Sequence, residues 1–217
     1  MRNDSPEPLG ETVTVDPVMD AGSSPRAPDE VDEARAAEYA LLARLLATAP
    51  DHDLLAALAR LTGDGTPLGL ARSRLAAAAS ATNARAVEQE YFDLFVGLGR
   101  GELLPYASFY LTGFLHERPL ARVREDLSAL GVERDETRSE PEDHIALLCD
   151  VMAGIAGGRF GALEAEEARF FARHLEPWAG RFFADLQTAR SARFYGAVGG
   201  YGRVFLEIER EAFTIAR

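Results

Sequence analysis

The sequence predicts an all-α protein: a single globular domain of about eight to ten helices at residues 31–217, preceded by a disordered acidic tail at residues 1–30. Three observations carry this reading. Beyond residue 30 the chain is written in Ala, Leu, Arg and Glu at helical spacing, with little β-branched alternation. Pro, Gly, Asn and Asp recur where helices need starts and stops. Residues 1–30 instead scatter Pro6, Pro8, Pro17, Pro25 and Pro28 among Ser, Gly and acids, with few clustered apolar groups to drive folding. There is no fixed internal repeat, which disfavours a solenoid.

The first helix is expected from about Asp32 to Thr48, with Tyr39, Leu42, Leu45 and Leu46 as its apolar stripe and Pro50 past its end. A second opens at Asp51 as N-cap and stops at the Gly63-Asp64-Gly65 turn; an Ala-rich third spans about Pro67 to Ala79. Asn83 caps a fourth, whose inner face is Val87, Tyr91, Leu94, Phe95 and Leu98 before Gly97, Gly99 and Gly101 dissolve it into a loop. Pro119 suits the first turn of the next helix, with Leu120, Val123, Leu127 and Leu130 on one face and Gly131 as its stop. Ser139 and Glu142 form a capping-box pattern, with Pro141 at the first helical position. The central helix it opens runs through Ile145, Leu148, Met152 and Ile155 to Gly157-Gly158. Three more, at about 162–174, 177–190 and 195–214, complete the chain.

Composition excludes several function classes. All 23 Lys+Arg are arginine, so a P-loop and a lysine Schiff base are both ruled out. The single cysteine, Cys149, has no disulfide or metal partner of its own kind; it lies on an apolar helical stretch, as a small buried hydrophobe does. Apolar runs are broken well before about eighteen residues, and Met1 to Ser5 open no signal sequence, so the expected location is the cytoplasm. The net charge of −12 argues against nucleic-acid binding; residues 1–33 alone hold nine acids against Arg2 and Arg26. An acidic protein attracts basic partners, though acidity also serves solubility.

Two segments stand out. The first runs Leu94-Phe95, then Gly97, Gly99 and Gly101, then Pro105-Tyr106-Ala107-Ser108-Phe109-Tyr110. The second is Glu140-Pro141-Glu142-Asp143-His144. Glycines permit unusual backbone in the loop, Pro105 stiffens it, and Tyr106, Phe109 and Tyr110 supply rings suited to a peptide groove. The same rings equally suit covering the core where two helices part. Read alone, the acids at 140–143 serve as local stabilisers of a helix start. A carboxylate beside His144 also suits a guanidinium, through charge-assisted hydrogen bonds.

Together these segments resemble the TorD-like redox enzyme maturation chaperones. In that family a helix ends in an L-F motif, a loop carries P-x-x-S-x-Y, and an E-P-x-D-H-like motif opens a central helix. The resemblance covers roughly residues 35–215. It implies a helical cytoplasmic chaperone, not an enzyme and without a cofactor, that binds the signal peptide or N-terminal region of a molybdoenzyme precursor of formate dehydrogenase-like or dimethyl sulfoxide reductase-like type. It would assist cofactor insertion, folding and export proofreading. The client-binding positions it implies are Pro105, Tyr106, Ser108, Tyr110, Glu140, Asp143 and His144, with Asp143 and His144 foremost.

Rival readings are a small helical enzyme using Glu140, Asp143 and His144 for acid–base chemistry, and a helical adaptor. Metal is disfavoured, because His52, His116 and His174 sit singly and far from His144. The glycines at 97–101 and at 196–202 follow no strand, so neither set has the setting of a phosphate loop; the second suits close helix approach or a kink. Oligomeric state stays open, a homodimer by exchange of elements included.

Overall fold

The computed structural model describes residues 27–132, 140–161 and 164–215. Among the described residues ten α-helices follow in order: α1 Glu30–Ala47, α2 His52–Leu58, α3 Pro67–Ser80, α4 Ala84–Tyr91, α5 Ala107–Thr112, α6 Arg118–Ala129, α7 Ile145–Ala156, α8 Glu164–His174, α9 Ala179–Thr188 and α10 Phe194–Ile215. Among the described residues the only β-type pairing is an isolated antiparallel bridge between Tyr106 and His144. The expected disorder of residues 1–30 falls almost wholly outside the described residues.

Local chemistry starts most helices where the sequence places the caps. Asp51 and Asn83 accept the N–H groups of Leu54 and Ala86, and Thr66 accepts that of Gly69 ahead of Pro67. α1 begins slightly earlier than expected, because Asp29 and Asp32 close a capping box around its first turn.

α7 is apolar nearly all round, and all but Leu147 and Asp150 of its residues are buried. Such a helix is stable only at the centre of a bundle. It lies against α1 and α8, while α10 spans α9 and α3. The α9–α10 contact depends on Gly199 and Gly202. A Cβ at Gly199 would sit 2.5 Å from the backbone nitrogen of Gln187, and one at Gly202 2.3 Å from the Phe183 ring. The 196–202 glycines therefore serve close helix approach.

Charged groups inside are paired across elements. Arg35 on α1 donates to both carboxylate oxygens of Glu209 at 2.8 Å and to Glu167 at 2.6 Å, joining α1, α8 and α10. Glu90 on α4 is buried and accepts the N–H groups of Arg193, Phe194 and Tyr195 at 2.7, 3.2 and 2.6 Å, capping α10 from another helix.

Three expectations are corrected. The central helix opens at Ile145, with His144 rather than a residue near Ser139 as its N-cap, so Pro141 and the acids around it precede the helix. The reason is the bridge to Tyr106, which holds His144 extended after a turn at 142–143, until His144 Nδ1 accepts the Ala146 N–H; Ser139 lies outside the described residues. The fourth helix ends at Tyr91 and continues as a π-helical turn, Phe92–Val96, which rotates Leu98 off the apolar face and leaves it 97% exposed. The loop expected over 97–110 gives way to α5 at Ala107.

Candidate functional site

The two segments singled out by sequence meet in space. Leaving the π-turn, Gly97 takes φ +64°, where a Cβ would lie 2.1 Å from the Arg100 carbonyl oxygen; only glycine fits this reversal. The chain then folds back so that Glu102 and Leu103 donate to the carbonyls of Asp93 and Leu94. The Glu102 carboxylate accepts the N–H groups of Arg190 and Ser191, tying the loop to the α9–α10 turn.

Loop and central helix are joined by backbone. Ala107 N–H donates to the Asp143 carbonyl at 3.0 Å, and Ile145 N–H donates to the Pro105 carbonyl at 2.9 Å. Between them the Tyr106 ring lies 5.1 Å from the His144 ring in an edge-on arrangement, and its hydroxyl donates to Glu140. Burial, reinforced by that hydrogen bond to Glu140, raises the Tyr106 phenol above its ordinary range, so it stays protonated as the donor. Tyr91 lies close enough that burial, with the charge of Glu140, pushes its phenol up to about 12.

The acids of the second segment occupy different depths. Asp143 has no exposure, and its Oδ2 accepts the Ser108 N–H at 2.7 Å in the first turn of α5. Asp143 Oδ1 and the Ser108 hydroxyl are buried without hydrogen-bond partners. Glu142 is bonded by Arg124 of α6 through Nε at 2.9 Å. Glu140 alone of these faces solvent. His144 is buried, and burial, opposed by Glu140 and Asp143, lowers its imidazole to about 4. It is neutral at neutral pH, accepting through Nδ1 and leaving the proton on Nε2.

Tyr110 anchors the far end of the loop. Its hydroxyl donates to Asp185 at 3.0 Å, its ring lies 5.3 Å from that of Trp178, and the Arg181 guanidinium sits 5.3 Å above it. Arg100 covers Phe109 at 5.1 Å, which brings the glycine loop against α5. Around this joint the surface is apolar: Val96, Leu98, Leu111, Phe114 and Leu115 are all exposed, Phe114 to 70%. Exposed apolar side chains gathered in one stretch of chain are of the kind that partners cover.

A family described as the nitrate reductase delta subunit matches residues 62–184, a span that includes both segments. The chain belongs to this family. Within the nitrate reductase delta subunit family, it is similar to the chaperone protein TorD of Shewanella loihica, 28% identical over 207 residues that cover 83% of this chain and 93% of that protein. It is also similar to the chaperone protein TorD of Vibrio cholerae, 28% identical over 130 residues, covering 56% of this chain and 59% of that protein. That match therefore spans about three fifths of the Vibrio relative's length. The fold is shared with a redox enzyme maturation protein of Archaeoglobus fulgidus at a TM-score of 0.55 and 21% identity, covering 80% of this chain and 93% of that one.

Tertiary structure thus unites Pro105, Tyr106, Ser108, Glu140, Asp143 and His144, and sets Tyr110 at the edge against α9. Sequence reading put Tyr91 on an apolar helix face and did not assign it, Arg124 or the Phe114-Leu115 pair to the site. The last carried a signal, because two large apolar residues sit between Gly113 and Pro119 with no helix to bury them.

Proposed function

We propose that the chain is a chaperone for the precursor of a molybdenum-cofactor oxidoreductase, of formate dehydrogenase-like or dimethyl sulfoxide reductase-like type. It captures a basic, partly apolar segment, either a signal peptide or an N-terminal region. Membership of the family and the chaperone names of its relatives support the role. The observation that carries it is that Glu140, an exposed carboxylate bonded to Tyr106 at the start of α5, belongs to the same loop system as the exposed apolar Leu98, Leu111, Phe114 and Leu115. Arginine binds the acid and apolar side chains cover those residues.

In this reading the client-binding positions divide their labour. Glu140, Tyr106 and His144 form the polar contact; Asp143, Ser108 and Pro105 hold the backbone beneath it; Tyr110 fixes α5 against α9. Binding shields the unfolded segment while the cofactor is inserted and the client folds. Release and export proofreading follow once the segment is no longer offered.

The test is affinity capture of the tagged full chain from its native host, with bound proteins identified by mass spectrometry. A cofactor-free molybdoenzyme is expected with the native chain and is lost with the double variant Glu140→Gln/Phe114→Ser. Recovery of no oxidoreductase, or equal recovery by the variant, would overturn the reading.

A further inference from the structure

Tyr106 and Glu140 stand 34 residues apart in sequence, yet the phenol of one is bonded to Oε2 of the other. Glu140 is exposed, and among the described residues no arginine pairs with it. A phenol rather than a cation therefore occupies the one solvent-facing carboxylate of this cluster. Starting from the reading above, we propose that Glu140 is a guanidinium-exchange site. The Tyr106 hydroxyl is its resident stand-in, displaced when an arginine of the client arrives.

The geometry of the two ligands separates their demands. A guanidinium gains most by forking onto both oxygens of a carboxylate, and the phenol on Oε2 competes with it for one of them. An ammonium is a compact donor that is satisfied by a single oxygen, and Oε1 remains for it. Arginine therefore gains more than lysine when Tyr106 leaves.

The surroundings let the phenol leave without loss of the site. The Tyr106 backbone is flanked by the Ala107–Asp143 and Ile145–Pro105 hydrogen bonds, so the displaced side chain turns about its own torsions while the loop stays in place. Its ring then remains beside the incoming cation, where an aromatic face attracts a guanidinium. The same chain already uses that contact nearby, with Arg181 over Tyr110 and Arg100 over Phe109.

The experiment titrates the full chain with two synthetic peptides that carry Arg-Arg or Lys-Lys ahead of the same apolar stretch, read by calorimetry. Tyr106→Phe keeps the ring and removes the competitor. It is expected to tighten the Arg-Arg peptide about tenfold, the worth of a hydrogen bond to a charged group, and to tighten the Lys-Lys peptide less. A melting temperature within about 2 °C of the native chain's would show that the fold is kept. Glu140→Gln is expected to weaken the Arg-Arg peptide at least tenfold. If Glu140→Gln weakens binding but Tyr106→Phe leaves the Arg-Arg peptide equal or weaker, the exchange is overturned and the chaperone reading stands. If Glu140→Gln changes nothing, or the native chain binds neither peptide, the site assignment and the exchange fall together.

Discussion

The Asp143 carboxylate accepts the backbone N–H of Ser108 at 2.7 Å, across 35 residues of sequence and with both residues fully buried. A helix first turn leaves N–H groups without partners, and α5 is too short to stand without them being met. Asp143 supplies that partner from the approach to another helix, so the loop and the central helix share one cap.

Replacing Asp143 with Ala should therefore act on stability before it acts on any ligand. The loss is about 2 kcal/mol, from a buried N–H left unsatisfied, and the Ser108 amide should become one of the fast-exchanging protons of the loop. Asp143→Asn retains an acceptor and is expected to lose less. Denaturant unfolding with amide exchange checks both; an unaltered Asp143→Ala protein would show that the cap contributes nothing.

Glu90 does for α10 what Asp143 does for α5, with three N–H groups instead of one, across as many as 105 residues. Glu90→Ala is expected to cost about 3 kcal/mol, since several buried donors lose their acceptor together. Thermal melting measures it, and a shift no larger than that of an exposed control such as Glu88→Ala would refute the role.

The exposed apolar side chains should be neutral to the fold. Phe114→Ser and Leu98→Ser remove side chains that solvent already reaches, so stability is expected to change by less than about 0.5 kcal/mol. Binding of an apolar dye to the native chain should fall in the double variant. A large loss of stability would mean that these side chains are covered in solution.

Acid should weaken the fold through His144. Its native imidazole protonates only near pH 4, whereas the unfolded one does so near 6.5. The unfolded chain therefore binds the extra proton between these values, and stability falls as pH drops from about 6.5 toward 4, by up to ~3 kcal/mol. His174, lowered chiefly by burial, acts in the same direction. Glu38, which burial raises to about 7, acts in the opposite one, losing its contribution as pH rises. His144→Asn keeps a capping side chain and removes the titration, so its unfolding free energy should vary less steeply across this window. Parallel slopes for the two proteins would contradict the assignment.

Much of the architecture was legible because it depends on neighbours in sequence. Asp51 and Asn83 capped the helices they precede, Pro119 sat in the first turn of α6, Gly131 ended it, and the apolar run after His144 gave the buried α7. Each is fixed by side chains reaching backbone a few residues away. The local rule failed at Pro141, which lies ahead of α7 at a turn, because the long-range bridge to Tyr106 holds His144 extended and starts the helix at Ile145.

The sequence by itself determined the helical class, the order of the main helices and the two segments that matter, since periodicity and capping are local properties of the chain. Only the tertiary structure decided what those segments do to each other. It set Asp143 under α5, turned Glu140 outward onto Tyr106, rotated Leu98 into solvent at the π-turn, and placed Glu90 at the start of α10. The physical reason is that a carboxylate carries no mark of its partner: which N–H or hydroxyl it meets depends on packing between helices far apart in sequence, and burial then fixes whether that meeting is a cap or a binding group.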